Sequence, residues 1–214
     1  MYAIKTRIKN HYWPLILLTL VSTLLFYLFW NKLDLITFIT DATGYISLML
    51  IAITLIIGPV NILLKRNNPP SSYYRRDLGI YSGALAVIHS LTGLFVHFRG
   101  NGWQYFLIKT ANGYTIRLDD FGLANYTGLI AALFVLLLLI TSNDFSIRKL
   151  NPAMWKNIQR LSYVMFVMVI IHSVYYRIVA NNLSRVYYLY LPLIGMVLIF
   201  QFFGIGLRKQ NQKP

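Results

Sequence analysis

Long apolar segments separated by short polar loops dominate the sequence. A helix that crosses a bilayer needs about 20 predominantly apolar residues, and six segments approach or reach that length. Aromatic side chains that suit the membrane interface, such as Trp13 and Trp155, lie near several segment ends. We therefore predict an all-α fold, a polytopic membrane bundle of six transmembrane helices. The predicted spans are residues 14–30, 46–64, 79–98, 123–141, 158–177 and 187–207.

Basic residues are unevenly divided between the two sides of this bundle. If the N-terminus is cytoplasmic, fourteen of the 20 Lys and Arg residues fall in cytoplasmic segments and six fall outside. Cytoplasmic loops of membrane proteins carry this excess. We therefore predict that both termini are cytoplasmic, in agreement with an even number of spans, and that residues 1–214 form a single integral membrane domain.

The composition excludes several kinds of chemistry. The chain has no cysteine, so it offers no iron–sulfur cluster, thiolate ligand or disulfide. All six acidic residues are aspartates. A net charge of +14 would suggest nucleic acid in a soluble protein. Here the charges lie in loops, where they orient the spans and contact anionic membrane lipid, and we expect no nucleic-acid partner.

The longest loop joins the third and fourth spans. Its segment NGWQYFLIKTANGYTIRL, residues 101–118, predicts a short β-hairpin with Asn112-Gly113 at the turn. We expect this hairpin to cap the outer face of the bundle.

Two histidines, His89 and His172, lie deep inside apolar spans. His89 is about 17 Å from the cytoplasmic start of the third span, and His172 is about 22–25 Å from the start of the fifth. Ionisable groups in the bilayer are candidates for function, and neutral histidine is a common axial ligand of haem iron. Two imidazoles at similar depth suit a haem b between the third and fifth spans. An ordinary interhelical hydrogen bond is the alternative, and a metal ion alone is less well supported.

Other residues of the third span extend this hypothesis. Gly83 and Gly93 flank His89 and either admit a flat macrocycle or serve helix packing. His97 lies about 12 Å further out. It either faces a haem propionate or an electron acceptor, or anchors the end of the helix.

Two segments resemble a known family, the ferric-reductase-like transmembrane domain. YYRRDLGIYSGALAVIHSLTGLFVHF, residues 73–98, is similar to its third helix, with an Arg-Arg pair, a Leu-Gly and a later histidine. SIRKLNPAMWKNIQRLSYVMFVMVIIHSVYY, residues 146–176, is similar to the region of its fifth helix. The resemblance covers about residues 40–205. Among family members, the bacterial haem-binding membrane subunit of a periplasmic methionine sulfoxide reductase system is closest in size.

The resemblance implies transmembrane electron transfer through b-type haem, with His89 and His172 as axial ligands. The chain would be a haem-containing oxidoreductase subunit of a bacterial inner (plasma) membrane. Its donor would be cytoplasmic or a quinone, and its acceptor would lie on the outer face. A flavoprotein donor or a periplasmic reductase acceptor is the implied partner, because no flavin or nicotinamide domain is encoded.

One departure from the family pattern limits the number of haems. Many members have a further histidine early in the fifth helix, where this chain has Gln159. We therefore expect one haem b, with an FMN or a quinone on the inner side as a further candidate cofactor. Arg75, Arg76 and Arg160 would hold a flavin phosphate or a propionate there, or would only set the topology. Gln159 also keeps open a non-catalytic scaffold or assembly subunit that retained the fold.

Overall fold

The computed structural model describes residues 4–29, 34–66, 71–99 and 101–210, without the side chains of residues 71, 72 and 208–210. This part of the chain is almost entirely helical. Short π-helical turns at Ile8–Tyr12 and Val186–Tyr190 lead into α2 and α9, and a 3₁₀ turn at Gly102–Tyr105 precedes the strands. The elements are α1 Ile4–Arg7, α2 Trp13–Phe29, α3 Leu35–Leu63, α4 Ser71–Gly93, β1 Leu107–Thr110, β2 Gly113–Ile116, α5 Asp120–Thr141, α6 Asp144–Leu150, α7 Pro152–Gln159, α8 Leu161–Val179 and α9 Leu191–Gln210.

Five helical segments of the described chain are long and apolar enough to cross a membrane. They correspond to all of the predicted spans except the third, which is α4. Three consecutive charged residues, Arg75, Arg76 and Asp77, lie in the first turns of α4 and dilute its apolar character. The five segments are Ile4–Phe29, Leu35–Leu63, Asp120–Thr141, Pro152–Val179 and Val186–Leu207.

Several predicted helix boundaries were wrong by more than a turn. The second span was predicted to begin at residue 46, but α3 begins at Leu35. The early polar residues fit inside the helix because Thr40 and Thr43 donate their hydroxyl protons to backbone carbonyls one turn back, at 2.8 and 2.7 Å. The third span was predicted to reach residue 98, but α4 ends at Gly93. Residue 30, the predicted end of the first span, lies outside the described residues.

Two helix pairs form the centre of the bundle. α3 packs along α4, α5 packs along α8, and α9 covers α3. The core between them is aliphatic and aromatic, and includes Leu55, Val135 and Phe166. Large apolar side chains also point outward, such as Phe202 at 75% exposure. Outward apolar side chains suit a protein whose surrounding solvent is lipid.

The predicted hairpin is confirmed. β1 and β2 pair antiparallel, with Thr110 opposite Gly113. The two loop residues are therefore Ala111 and Asn112, and the turn lies one residue earlier than predicted. Gly113 has φ +121°, a conformation that glycine adopts without strain. We call the end of the bundle that carries this hairpin the hairpin end.

The first helix begins at the end of the bundle opposite the hairpin end. The last helix finishes there too. Asp77, fully buried near the start of α4, accepts hydrogen bonds from Arg7 Nε at 3.1 Å and Tyr12 at 3.3 Å. The Nδ1 atom of His11 lies 2.5 Å from the same carboxylate. At this end Gly204 of α9 also packs against Pro59 of α3. The charged first turns of α4 are therefore tied to the N-terminal helix.

Candidate functional site

The imidazole of His89 is held by the neighbouring helix α3. Its Nδ1 atom lies 2.9 Å from the backbone carbonyl oxygen of Thr40. Because a carbonyl can only accept, Nδ1 carries the proton and donates it. Gly44, one turn further along α3, makes room for the ring, since a Cβ there would lie 2.7 Å from Nδ1. We call this pair, Thr40 and Gly44, the first cradle.

The imidazole of His172 is held in the same manner by α5. Its Nδ1 atom donates to the carbonyl oxygen of Ala124 at 2.8 Å. A Cβ on Gly128 would lie 2.5 Å from this Nδ1 atom, so only glycine fits. Ala124 and Gly128 form the second cradle. In both cradles, a backbone carbonyl accepts the hydrogen bond from Nδ1, and a glycine four residues later leaves room for the ring.

The two cradles bring the imidazoles face to edge across the bundle. The ring centroids are 6.0 Å apart and the ring planes are nearly perpendicular, at 86°. Since each Nδ1 donates to its cradle, each Nε2 is left with an available lone pair on the far side of the ring. A fixed Nδ1 hydrogen bond of this kind is the usual support of a metal-binding histidine.

Both rings line a cavity of about 600 Å³ that extends to residues at the hairpin end, such as Tyr105 and Phe106. The volume lies within the range of small-molecule and cofactor sites, about 300–1,000 Å³. Its walls are mostly apolar or small, and they come from α3, α4, α5 and α8. Representative wall residues are Leu48, Ala86, Ala132, Val135 and Val169.

The cavity and its histidines fit a bis-histidine haem. An imidazole nitrogen binds a first-row metal at about 2.0–2.1 Å. Two such bonds to one metal ion, plus the distance from each nitrogen to the centre of its ring, would place the two ring centroids a little over 6 Å apart. The observed distance between the centroids is 6.0 Å. A metal ion alone fits less well, because the described residues contain no group of three metal-binding side chains.

The third histidine, His97, lies on the turn that follows α4 and lines the same cavity. Its ring stacks on Tyr176, with centroids 6.2 Å apart and planes at 13°. Its backbone N–H donates to the hydroxyl of Tyr105 at 3.1 Å, which in turn donates to the carbonyl of Gly93. His97 therefore belongs to the wall at the hairpin end of the cavity.

The three arginines predicted to bind a phosphate or a propionate lie at the opposite end. Arg76 donates to Asp144 at 2.6 Å and to the carbonyl of Ser142 at 3.1 Å. This hydrogen bond and the arginine charge lower the pKa of Asp144. Arg75 packs over Gly58, and Arg160 donates to Asn157 at 2.9 Å. Within the described chain, none of the three arginines lines the cavity.

Gln159 has a role in packing at this same end. Its side-chain amide donates to the hydroxyl of Thr141 at 3.2 Å. The indole of Trp155 donates to the carbonyl of Thr141 at 2.8 Å. These bonds fasten α7 to the end of α5.

The sequence analysis missed the two glycines that make room for the histidine rings, Gly44 and Gly128. Gly83, which was considered as room for a macrocycle, faces Leu139 of α5, so it serves helix packing. Gly93 does line the cavity. The two cradle glycines carry a signal that could have been found: each follows a threonine, as Thr43-Gly44 and Thr127-Gly128, in otherwise different helices.

Comparison with known proteins gives one match. The family described as "Ferric reductase like transmembrane component" matches residues 43–170, more than half of the chain. The matched range includes His89, Gly44 and the second cradle, whereas Thr40 and His172 lie just outside it. Neither the curated proteins nor the solved structures contain a match. The match indicates transmembrane electron transfer, and with the five apolar segments it indicates an integral membrane protein.

Proposed function

The chain belongs to the family of ferric-reductase-like transmembrane components, and on that premise we propose that it carries electrons across a membrane through one haem b held by His89 and His172. The observation that carries the proposal is the pair of imidazoles 6.0 Å apart, each fixed through Nδ1 by a backbone carbonyl. Such an arrangement has no evident purpose in packing alone, because it leaves two polar Nε2 atoms at an apolar cavity.

Bound haem supplies one-electron redox chemistry at its iron. The chain itself would supply the two axial nitrogens and hold their orientation. Each Nδ1–H bond to a carbonyl makes the opposite nitrogen a better donor to the metal. The apolar walls exclude water, and so they help to set the reduction potential.

For the topology, we propose six spans with both termini cytoplasmic. The excess of Lys and Arg in the loops on that side supports this orientation. The start of the first helix and the later part of the last helix lie at the same end as the charged first turns of α4. α4 would then be the remaining span, with its charged residues at the cytoplasmic surface, in contact with lipid headgroups and neighbouring helices.

We propose a single haem, near the outer face. Gln159 supports this number, because its amide is a poor iron ligand and is engaged with Thr141. A gap of roughly 15 Å to the cytoplasmic surface follows from the helix rise. A flavoprotein donor, an FMN or a quinone near Arg75, Arg76 and Arg160 would shorten the gap.

On the outer side, we propose a periplasmic reductase as the electron acceptor. The two segments quoted above support this partner, since they resemble a family that includes the haem-binding subunit of a methionine sulfoxide reductase system. The same resemblance favours a bacterial inner membrane.

The first experiment is a haem count on purified full-length protein expressed with added haem. Reduced-minus-oxidised spectra and a pyridine haemochrome assay would be recorded for the wild type, His89→Ala and His172→Ala. The matched control is His11→Gln, which changes a histidine outside the cavity and keeps a donor for Asp77. We expect about one haem b per chain in the wild type and the control, and almost none in either alanine variant.

Other results would change the proposal in defined ways. Two haems per chain would contradict the single site and require a ligand other than Gln159. A folded wild-type protein without haem would contradict electron transfer and leave the scaffold function.

A further inference from the structure

The apolar cavity ends in charged groups at the hairpin end. Asp41 of α3 and Arg177 of α8 both line it there. Arg177 is five residues after His172, so it lies about 7–8 Å further toward the hairpin end along the helix. Charged side chains are costly at this depth in a membrane bundle and usually have a partner or a ligand.

Arg177 has a donor without a partner. Its Nε atom is buried and has no hydrogen-bond acceptor within the described residues. A buried donor left unpaired costs about 1–3 kcal/mol, and more when the group is charged. The guanidinium therefore lines the cavity with part of its hydrogen-bonding capacity unused.

The neighbouring charges do not cancel. Asp41 is close enough to interact electrostatically with two guanidinium groups, those of Arg177 and Arg185. Arg185 also donates to the hydroxyl of Tyr45 at 2.6 Å and lies over its ring. These two cations and one carboxylate together leave one net positive charge around Asp41.

We propose that Arg177 binds a carboxylate of a ligand that occupies the cavity. The ligand carboxylate supplies the missing negative charge to a guanidinium whose hydrogen bonding the protein leaves incomplete. Carboxylate is the group that a guanidinium recognises best, through parallel N–H···O bonds. The carboxylate belongs either to the haem itself or to a separate small anion at the outer mouth. The first source rests on the proposed function, whereas the second does not.

The test compares Arg177→Gln and Arg177→Lys with the wild type. Haem affinity and reduction potential would be measured after reconstitution with ordinary haem and with haem whose two propionates are esterified. The control is Arg117→Gln. Arg117 also has a buried, unpartnered Nε atom, but among the described residues it is not part of the cavity wall.

With ordinary haem, we expect Arg177→Gln to weaken binding about tenfold or more and to lower the potential, because a positive charge beside the iron favours the reduced state. Arg177→Lys should lose less haem affinity and shift the potential less, and Arg117→Gln should match the wild type in both. If esterified haem abolishes the difference in haem affinity between wild type and Arg177→Gln, the carboxylate is a propionate.

If the difference in haem affinity persists with esterified haem, the source is a separate anion. Benzoate titration should then perturb the spectrum of the wild type and not that of Arg177→Gln. Equal haem affinity and potential in both proteins, with no effect of benzoate, would overturn the proposal. A wild type that binds no haem would defeat the proposed function alone. Calorimetry with benzoate on wild type and Arg177→Gln would then decide the anion site by itself.

Discussion

The two cradles hold their histidines alike but surround them differently. In both, a carbonyl accepts the Nδ1 proton at 2.8–2.9 Å, and a glycine four residues later leaves space for the ring. Neither feature depends on the side-chain chemistry of the cradle residues, because the contacts involve a backbone oxygen and the space left by an absent Cβ. The orientation of the two imidazoles is thus a property of how two helix pairs pack.

The polar neighbours set the two halves apart. The residue that follows the one with the accepting carbonyl is Asp41 in the first cradle and Asn125 in the second. Four residues after the histidine comes Gly93 in the first half and Tyr176 in the second. The hydroxyl of Tyr176 donates to Asn125 at 2.7 Å, a contact that the first half cannot make. Similar backbone geometry therefore carries different electrostatics, and the two can be tested separately.

The largest expected effect comes from filling either cradle. In Gly44→Ala and in Gly128→Ala, the new Cβ would lie within 2.7 Å of Nδ1, so the imidazole must move. Overpacking of this kind costs about 1–3 kcal/mol. We expect haem affinity to fall about tenfold in each variant, measured by haem titration of the apoprotein.

Gly195→Ala is the control for both substitutions, because nothing lies within 4 Å of its added Cβ. Equal losses in the two cradle variants would support the equivalence of the cradles. A loss in only one of them would show that the other histidine adapts. Undiminished binding in both would refute the role of the glycines.

An intermediate effect is expected from exchanging the polar neighbours. Asp41→Asn removes a negative charge near the two histidines and should raise the potential of the proposed haem. Asn125→Asp adds one at the matching position, where Tyr176 can still donate, and should lower it. At an effective dielectric constant of about 20, a charge at this range is worth about 1–2 kcal/mol, or roughly 40–90 mV for one electron.

Redox titration checks both substitutions, with haem content as the measure of correct folding. Shifts of opposite sign would assign the difference between the halves to charge. Shifts of the same sign would indicate a structural disturbance instead.

Much of the fold follows from apolar run lengths. Five of the six predicted spans match helical segments capable of crossing a membrane, and the hairpin follows from Asn112-Gly113. The boundaries fail where polar residues are satisfied locally. The polar stretch around Thr40 and Thr43 was predicted to be a loop, but both hydroxyls bond to the helix itself. Hydropathy does not register such bonds.

The site is only partly legible in the sequence. His89 and His172 stand out because polar rings are rare in apolar spans. The cradles cannot be recognised in the sequence, because a backbone carbonyl has no sequence signature and glycine has several roles in membrane helices. The partners of charged residues are also hidden. Arg76 and Arg177 look alike in sequence, yet Arg76 is paired with Asp144 and Arg177 keeps an unpartnered Nε atom.

The smallest expected effect concerns this paired arginine, at the end of the bundle remote from both cradles. Arg76 lowers the pKa of Asp144 from its ordinary value of 3.8, through their hydrogen bond and then through charge. The contribution of the pair to stability is therefore present above the unfolded-state pKa and is lost as the pH falls through the lower, folded-state pKa. Because the Asp144 side chain is 37% exposed, we expect less than about 1 kcal/mol.

Thermal unfolding from pH 6 to pH 3 should show Asp144→Asn a few degrees less stable at pH 6, with the difference closing below about pH 4. Haem content and potential should stay at wild-type values in this variant, because Asp144 contacts neither cradle. A change in the haem at pH 6 would mean that the two ends of the bundle are coupled. The cradles would then depend on the whole of α4, which joins Arg76 to His89, and no longer on local packing alone.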